Sequence, residues 1–196
     1  MTQEDCFRKE PFADAISYTG WHLDVHHPEG LYSGENGPMY CALHVPMPTV
    51  PFRCLYSVNI ENLLFAGRNI SVSHIALGTT RVENTIATFG QAAGTAAAMC
   101  VGKGKTPREI GSDHITELQQ QLIRDDQFIP GFQNEDPNDP CLTATAAASS
   151  VKTDEIFQTL QGVEGALLPL NTARMMNYCV STSHGDVNAL YSQHCV

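Results

Sequence analysis

NLLFAGRNISVSHIALGTTRVENTIATFGQAAGTAAA, residues 62–98, divides into three pieces. Asn62 to Ala66 is a short apolar run that stops at Gly67, the pattern of a buried strand. A polar loop is expected from Arg68 to Thr79. Thr80 and Glu83 then stand three residues apart, the spacing of a capping box at a helix start. Val82, Ile86, Phe89, Ala93, Ala96 and Cys100 follow at steps of three and four, which keeps them on one helical face. Gly102 is the expected stop. At ~1.5 Å per residue such a helix runs about 30 Å, enough to cross a domain.

A strand, a glycine-containing loop and a capped helix make a β-loop-α unit. In open α/β sheets ligands gather beyond the carboxyl ends of the strands, where a helix start adds unpaired N–H groups and partial positive charge. Gly67 and Gly78 would let backbone approach a ligand closely, and Arg68 and Arg81 could meet anionic groups. The same unit also serves folding alone. Gly90 and Gly94, followed by Thr95-Ala-Ala-Ala98, strip one helix surface to backbone. Each glycine costs roughly 1 kcal/mol against alanine in a helix interior, so something should offset them. Tight helix–sheet packing and contact with a flat cofactor both would.

Outward from this stretch the chain is less regular. Residues 1 to about 60 read as loops and short strands punctuated by Gly, Pro and aromatic residues, with no helix expected. Trp21, Leu23 and Val25 alternate with His22, Asp24 and His26, the period of a half-buried strand. Downstream, Thr106-Pro107-Arg108-Glu109 places Pro at a first helical position. Ser112 is the expected cap of a further helix with Ile115, Leu118 and Leu122 inward, ending near Arg124. GFQNEDPNDP, residues 131–140, is a boundary loop. The expected organisation is therefore 1–58 as a substrate-side strand and loop segment, 59–132 as the cofactor-binding part, and 133–196 as mixed strand and loop.

The run at 62–98 closely resembles the C-terminal flavin-binding segment of FAD-dependent oxidoreductases with a glutathione-reductase-like FAD-binding domain. GWHLDVHHPEG (20–30), PFRCLYSVNIENL (51–63) and the PREI and LQQQLIRDDQFIPG segments (107–110, 118–131) are similar to that family's flanking segments. The resemblance covers roughly residues 15 to 170. It implies an α/β fold, a partial FAD/NAD(P)-binding Rossmann-like domain with strand-rich flanking segments, with FAD as cofactor and a small organic molecule as substrate. It also implies that Gly67, Arg68 and Asn69 lie near the ribityl and pyrophosphate region, with Arg68 where relatives carry an acid. The loop from Ser73 to Thr80, with Gly78, Thr79 and Thr80, would approach the isoalloxazine ring. The helix dipole would then favour negative charge on the reduced flavin near N1 and C2=O. His74 is the implied proton-transfer residue, since imidazole titrates near neutrality; a loop hydrogen-bonding role is the alternative.

Such FAD domains open with a strand, a GxGxxG turn and a helix that holds the pyrophosphate. None of the 15 glycines forms that pattern. Gly104-Lys105-Thr106 has a phosphate-loop look, yet the Walker spacing would need Gly at position 99, which is Met99, and a strand before it. One wall of the cofactor site is thus expected here. The expectation is a C-terminal fragment, inactive by itself, whose partner is the N-terminal FAD-domain segment. The alternative is a non-catalytic piece that does not bind FAD alone.

Composition excludes other classes. Eleven Lys+Arg against 21 Asp+Glu give a net charge of −10, which repels a phosphate backbone and excludes nucleic acid as the expected partner. No apolar run approaches the roughly 20 residues of a membrane helix, and MTQEDCFRKE lacks the apolar core of a secretory signal, so no membrane association is expected. Seven cysteines contain no CxxC pair; reduced, mostly buried thiols and a cytoplasmic setting follow. On a strand, His22, Asp24 and His26 would face one way, about 6–7 Å apart. That face suits a metal, a substrate pocket or plain solvent; metal ligands are usually drawn from several segments, so no metal is assigned.

Overall fold

A computed structural model of the chain describes residues 1–34 and 39–139; the mixed strand and loop expected from 141 onward lies outside them. Met1–Phe132 falls in one compact unit. Its strands are β1 (Ala15–Tyr18), β2 (Leu23–His26), β3 (Met39–Leu43) and β4 (Thr49–Pro51). They pair antiparallel as β1–β4 and β2–β3, with Leu23 opposite Leu43 and Asp24 opposite Ala42. Four helices follow: α1 (His74–Thr80), α2 (Glu83–Lys103), α3 (Pro107–Asp113) and α4 (Ile115–Arg124). Before residue 60 the described helical turns are short 3-10 pieces only. The fold is α/β, with helix and strand mixed in keeping with a partial FAD-binding domain. Of the second unit, the described residues 133–139 form side-chain-capped turns, in which the Asp136 N–H donates to Asn134 Oδ1 and the Asn138 N–H to Asp136 Oδ1, both at 3.0 Å.

Two apolar clusters hold the first unit. The larger joins Ile16, Val50, Phe52 and Leu55 to Phe89, Ala92 and Ala96 of α2, Ile110 of α3, and Leu118 and Leu122 of α4. The smaller gathers Cys6, Leu23, Val45 and Ala76 where α1 meets β2. Burying each large side chain contributes about 1.5–3 kcal/mol, so these contacts, more than helix propensity, place the elements. The β1 segment also borrows side-chain donors from α4 and from the chain that follows it. Gln119 Nε2 donates to the carbonyls of Ala13 and Ala15, each at 2.9 Å, and Gln127 Nε2 donates to that of Ile16. Backbone acceptors in and just before β1 are satisfied in this way.

Several local expectations change. Asn62–Ala66 is not a strand: Leu64 makes a single antiparallel bridge to Tyr56. A run this short needs a continuous neighbour to become a strand, and among the described residues it has one bridging position. The polar loop is half replaced by α1, which starts where Ser73 Oγ accepts from the Ala76 N–H at 3.3 Å. Thr80 consequently ends α1, and its hydroxyl donates back to the Ala76 carbonyl at 3.2 Å. It cannot also cap α2, which begins after Val82 without a side-chain cap. That helix ends at Lys103 with Gly104 left-handed at φ +63, two residues past the expected stop. Ser112 lies inside α3, bonded to Asp113 Oδ1 at 2.7 Å, and α4 starts after His114.

Thr106 and Glu109 form the capping box that opens α3: the Glu109 N–H donates to Thr106 Oγ1 at 3.3 Å and the Thr106 N–H to Glu109 Oε2 at 2.8 Å. The Thr106 backbone N–H, then the Lys105 ammonium, hold the Glu109 carboxyl at about 2, below its ordinary 4.5. A depressed carboxyl contributes stability above the ordinary value and loses it as pH falls through the folded one. The thermal-midpoint gap between wild type and Glu109→Ala is therefore expected to be full near neutral pH and to shrink from pH 4.5 toward pH 2. Melting curves across that range check it; a gap that widens on acidification contradicts it.

The inner face of α2 carries Phe89, Ala93 and Ala96 as the periodicity predicts, with Thr85 and Ala92 added. Gly90 and Gly94 are exposed, and a Cβ at either would meet nothing within 4 Å. Packing within the described residues therefore does not offset their cost.

Candidate functional site

The loop between the Leu64 bridge and α1 is pinned at one end and open at the other. Ile70 is 8% exposed in the main core, the Ser71 N–H donates to the Cys54 carbonyl at 2.9 Å, and the Ser73 N–H to that of Met1, also at 2.9 Å. Ahead of these anchors the chain turns outward at Gly67, whose φ of +90 is left-handed backbone that only glycine adopts freely. A Cβ there would find ordinary space, 3.6 Å from Asn69 Oδ1, so the backbone angle makes the demand. Arg68 and Asn69 are exposed, and so is His74 on the first turn of α1. The next helix, α2, presents a first turn without a side-chain cap, with Glu83 and Asn84 exposed. Its free N–H groups and dipole are open to an acceptor.

Gly78, Thr79 and Thr80 lie elsewhere. All three are buried, and they pack α1 onto the β2 segment. A Cβ on Gly78 would stand 2.8 Å from the Asp24 carbonyl oxygen, so the close backbone approach that the glycine permits is to β2. Thr79 Oγ1 donates to the Trp21 carbonyl and lies 2.6 Å from Thr19 Oγ1, whose hydroxyl also contacts the Thr79 carbonyl at 2.5 Å. Arg81, read from sequence as a candidate for anionic groups, donates instead to the backbone and side chain of Asp24. The β2 carbonyls need donors, and α1 and its cap residue supply them. No signal along the chain announces these partners, which are 57 to 60 residues apart.

The histidine face of β2 does not converge. His22 stacks against Trp21 with ring centroids 4.6 Å apart, Asp24 turns to Arg81, and His26 is exposed beside it. Among the described residues no group of three His, Cys, Asp or Glu side chains is placed to hold one ion. Cys6, Cys54 and Cys100 are free thiols. Burial, with Asp5 beside it, pushes Cys6 up to about 11; burial also raises Cys54 and Cys100, which suits thiols that pack and do not react. A cavity of about 410 Å³ opens between the turn at Ser57–Glu61 and Thr106, Arg108 and Glu109. Arg108 is engaged there by the Val58 carbonyl at 2.9 Å and by the Tyr56 ring. No described helix is long and apolar enough to cross a membrane.

The described residues thus form a mixed helix-and-strand unit with an open glycine loop ahead of a long helix that lacks a side-chain cap. The chain belongs to the FAD-dependent oxidoreductases: the model of the family described as FAD dependent oxidoreductase matches residues 1–122. Its cofactor is FAD, and its general chemistry is flavin redox. No curated protein and no solved structure matches the chain.

Proposed function

We propose that these residues supply one wall of an FAD site of the glutathione-reductase-like kind, with the other wall, a glycine-rich phosphate-binding turn, contributed by a segment outside the 196 residues. The left-handed Gly67 at the tip of an otherwise anchored loop carries this reading. Only glycine adopts this backbone freely, and here it turns the chain beside the exposed Arg68 and Asn69. The flavin, when bound, supplies the hydride or electron step on an organic substrate.

In this reading Gly67 brings backbone close to the cofactor, while Arg68 and Asn69 offer donors to its phosphate or hydroxyl oxygens. The open start of α2 favours negative charge. His74 gives or accepts a proton at its imidazole. Gly78, Thr79 and Thr80 act behind this surface by holding α1 in place. The three remain part of the site through backbone position, not through side chains facing the flavin.

The test is FAD retention. The purified chain alone is expected to lose FAD on dialysis. Co-expression with an N-terminal FAD-domain segment of a family member is expected to yield a yellow, FAD-containing protein. Gly67→Val and Arg68→Ala are expected to weaken FAD retention there by tenfold or more, about 1.4 kcal/mol. A complemented protein that stays colourless supports a non-catalytic piece. FAD held equally well by both variants moves the site away from this loop.

A further inference from the structure

We infer that Arg81 is a positioning residue: with Asp24 it forms a clasp that fixes α1, and so the His74 end of the candidate flavin site, against the β2–β3 hairpin. The functional half of this inference rests on the flavin reading above; the geometry of the clasp does not.

At seven residues, α1 is far too short to persist on local propensity, since isolated helices under about 12–15 residues are marginal in water. Its position must come from tertiary contacts, and the charged one is Arg81. This residue is the cap of α1: its own N–H donates to the Leu77 carbonyl at 3.1 Å. One guanidinium nitrogen, Nη2, then donates to the Asp24 carbonyl at 3.0 Å and to Asp24 Oδ2 at 3.3 Å. Backbone and side chain of β2 are thus held from the cap residue of the helix.

Asp24 makes the arrangement asymmetric. Its side chain is 19% exposed, and its Oδ1 is buried without a hydrogen bond. His26 Nε2 stands 3.2 Å from that oxygen and hydrogen-bonds the other, Oδ2, at 3.4 Å, on a side chain 51% exposed. If Arg81 is removed, a largely desolvated carboxylate keeps only the half-exposed imidazole of His26, the costly way to break such a pair. If the Asp24 charge is removed, Arg81 still holds the backbone carbonyl. The loss of Arg81 must therefore loosen α1 more than the loss of the Asp24 charge. A surface ion pair of convenience would show no such order.

Amide hydrogen exchange on the full chain reads this directly, at the Leu77 and Arg81 N–H groups that close α1 onto Ser73 and Leu77. Arg81→Gln is expected to speed exchange at both about tenfold, with α2 amides changed by less than about twofold, in line with loss of charge-assisted hydrogen bonds. Asp24→Asn should give about a threefold effect, and the double variant no more than Arg81→Gln alone, as coupled partners require. Arg81→Lys, which restores a cation, should recover most of the protection. Unchanged α1 exchange overturns the clasp, as does acceleration shared equally by α2 and α4 or fully additive effects. In FAD-loaded complemented protein, Arg81→Gln is further expected to alter the visible circular dichroism of the flavin at unchanged FAD content. Faster exchange with an unaltered flavin spectrum overturns the positioning role and leaves the clasp a purely structural contact. A protein that never takes up FAD defeats the flavin reading and the positioning role with it, while exchange alone still decides the clasp.

Discussion

Gly78→Val is expected to break the α1–β2 contact. The added Cβ would lie 2.8 Å from the Asp24 carbonyl oxygen and 3.2 Å from its carbonyl carbon and amide nitrogen. All three are backbone atoms of a paired strand, so nothing nearby can swing aside. Overpacking costs typically about 1–3 kcal/mol; alanine should fall in that range, and valine above it. The displaced helix would also release the Thr79 bond to the Trp21 carbonyl and the Arg81 bonds to Asp24. Urea unfolding of wild type, Gly78→Ala and Gly78→Val measures the series. The contrast is Gly94→Ala, which faces open space and should stabilise the chain by about 0.5–1 kcal/mol through helix propensity. Gly78→Ala with wild-type stability would show that α1 does not sit tightly on β2.

Phe89→Ala is expected to be the most damaging single truncation. Phe89 is 0% exposed in the main cluster, and it joins α2 to a core shared with β1, β4, α3 and α4. Removing a buried phenylalanine costs about 3–5 kcal/mol, the lost transfer energy plus the cavity left behind. Whole domains are stable by only about 5–15 kcal/mol, so this one change should consume a large share of the total. The urea midpoint should drop sharply with the slope little changed. A loss under about 1.5 kcal/mol would mean that the neighbours collapse into the space, or that this core is looser than its burial implies.

The two variants act on different halves of the proposed site. Phe89→Ala undermines the scaffold from which α2 presents its uncapped start. Gly78→Val leaves that scaffold and detaches the helix that carries His74. Exchange at the α2 and α4 amides follows the first, and exchange at the α1 amides the second. Separate responses would show that the candidate site is a loop and short helix resting on an independently stable core.

What could be read along the chain was whatever depends on near neighbours. The inner face of α2 was legible because Phe89, Ala93 and Ala96 repeat at helical spacing, and the start of α3 because Pro107 suits a first helical position; the same three-residue spacing at Thr80 and Glu83 read as a capping box that the fold does not form. The outward turn at Gly67 was legible as a glycine between an apolar run and a polar loop. The boundaries of α1 were not. Ser73 is an ordinary cap, but the seven residues after it include Gly78 and two threonines, poor helix formers that read as loop.

The amino-acid order by itself thus determined the long helix, the glycine that opens the loop, and the membership in the FAD-dependent oxidoreductases, whose family model spans residues 1–122. Only the tertiary structure decided which glycines and hydroxyls look outward. Gly67 stays at the surface, whereas Gly78, Thr79 and Arg81 turn to β2, because the carbonyls of Trp21 and Asp24 need hydrogen-bond donors. Such a need arises once the chain has folded back on itself, and no local pattern of residues carries it.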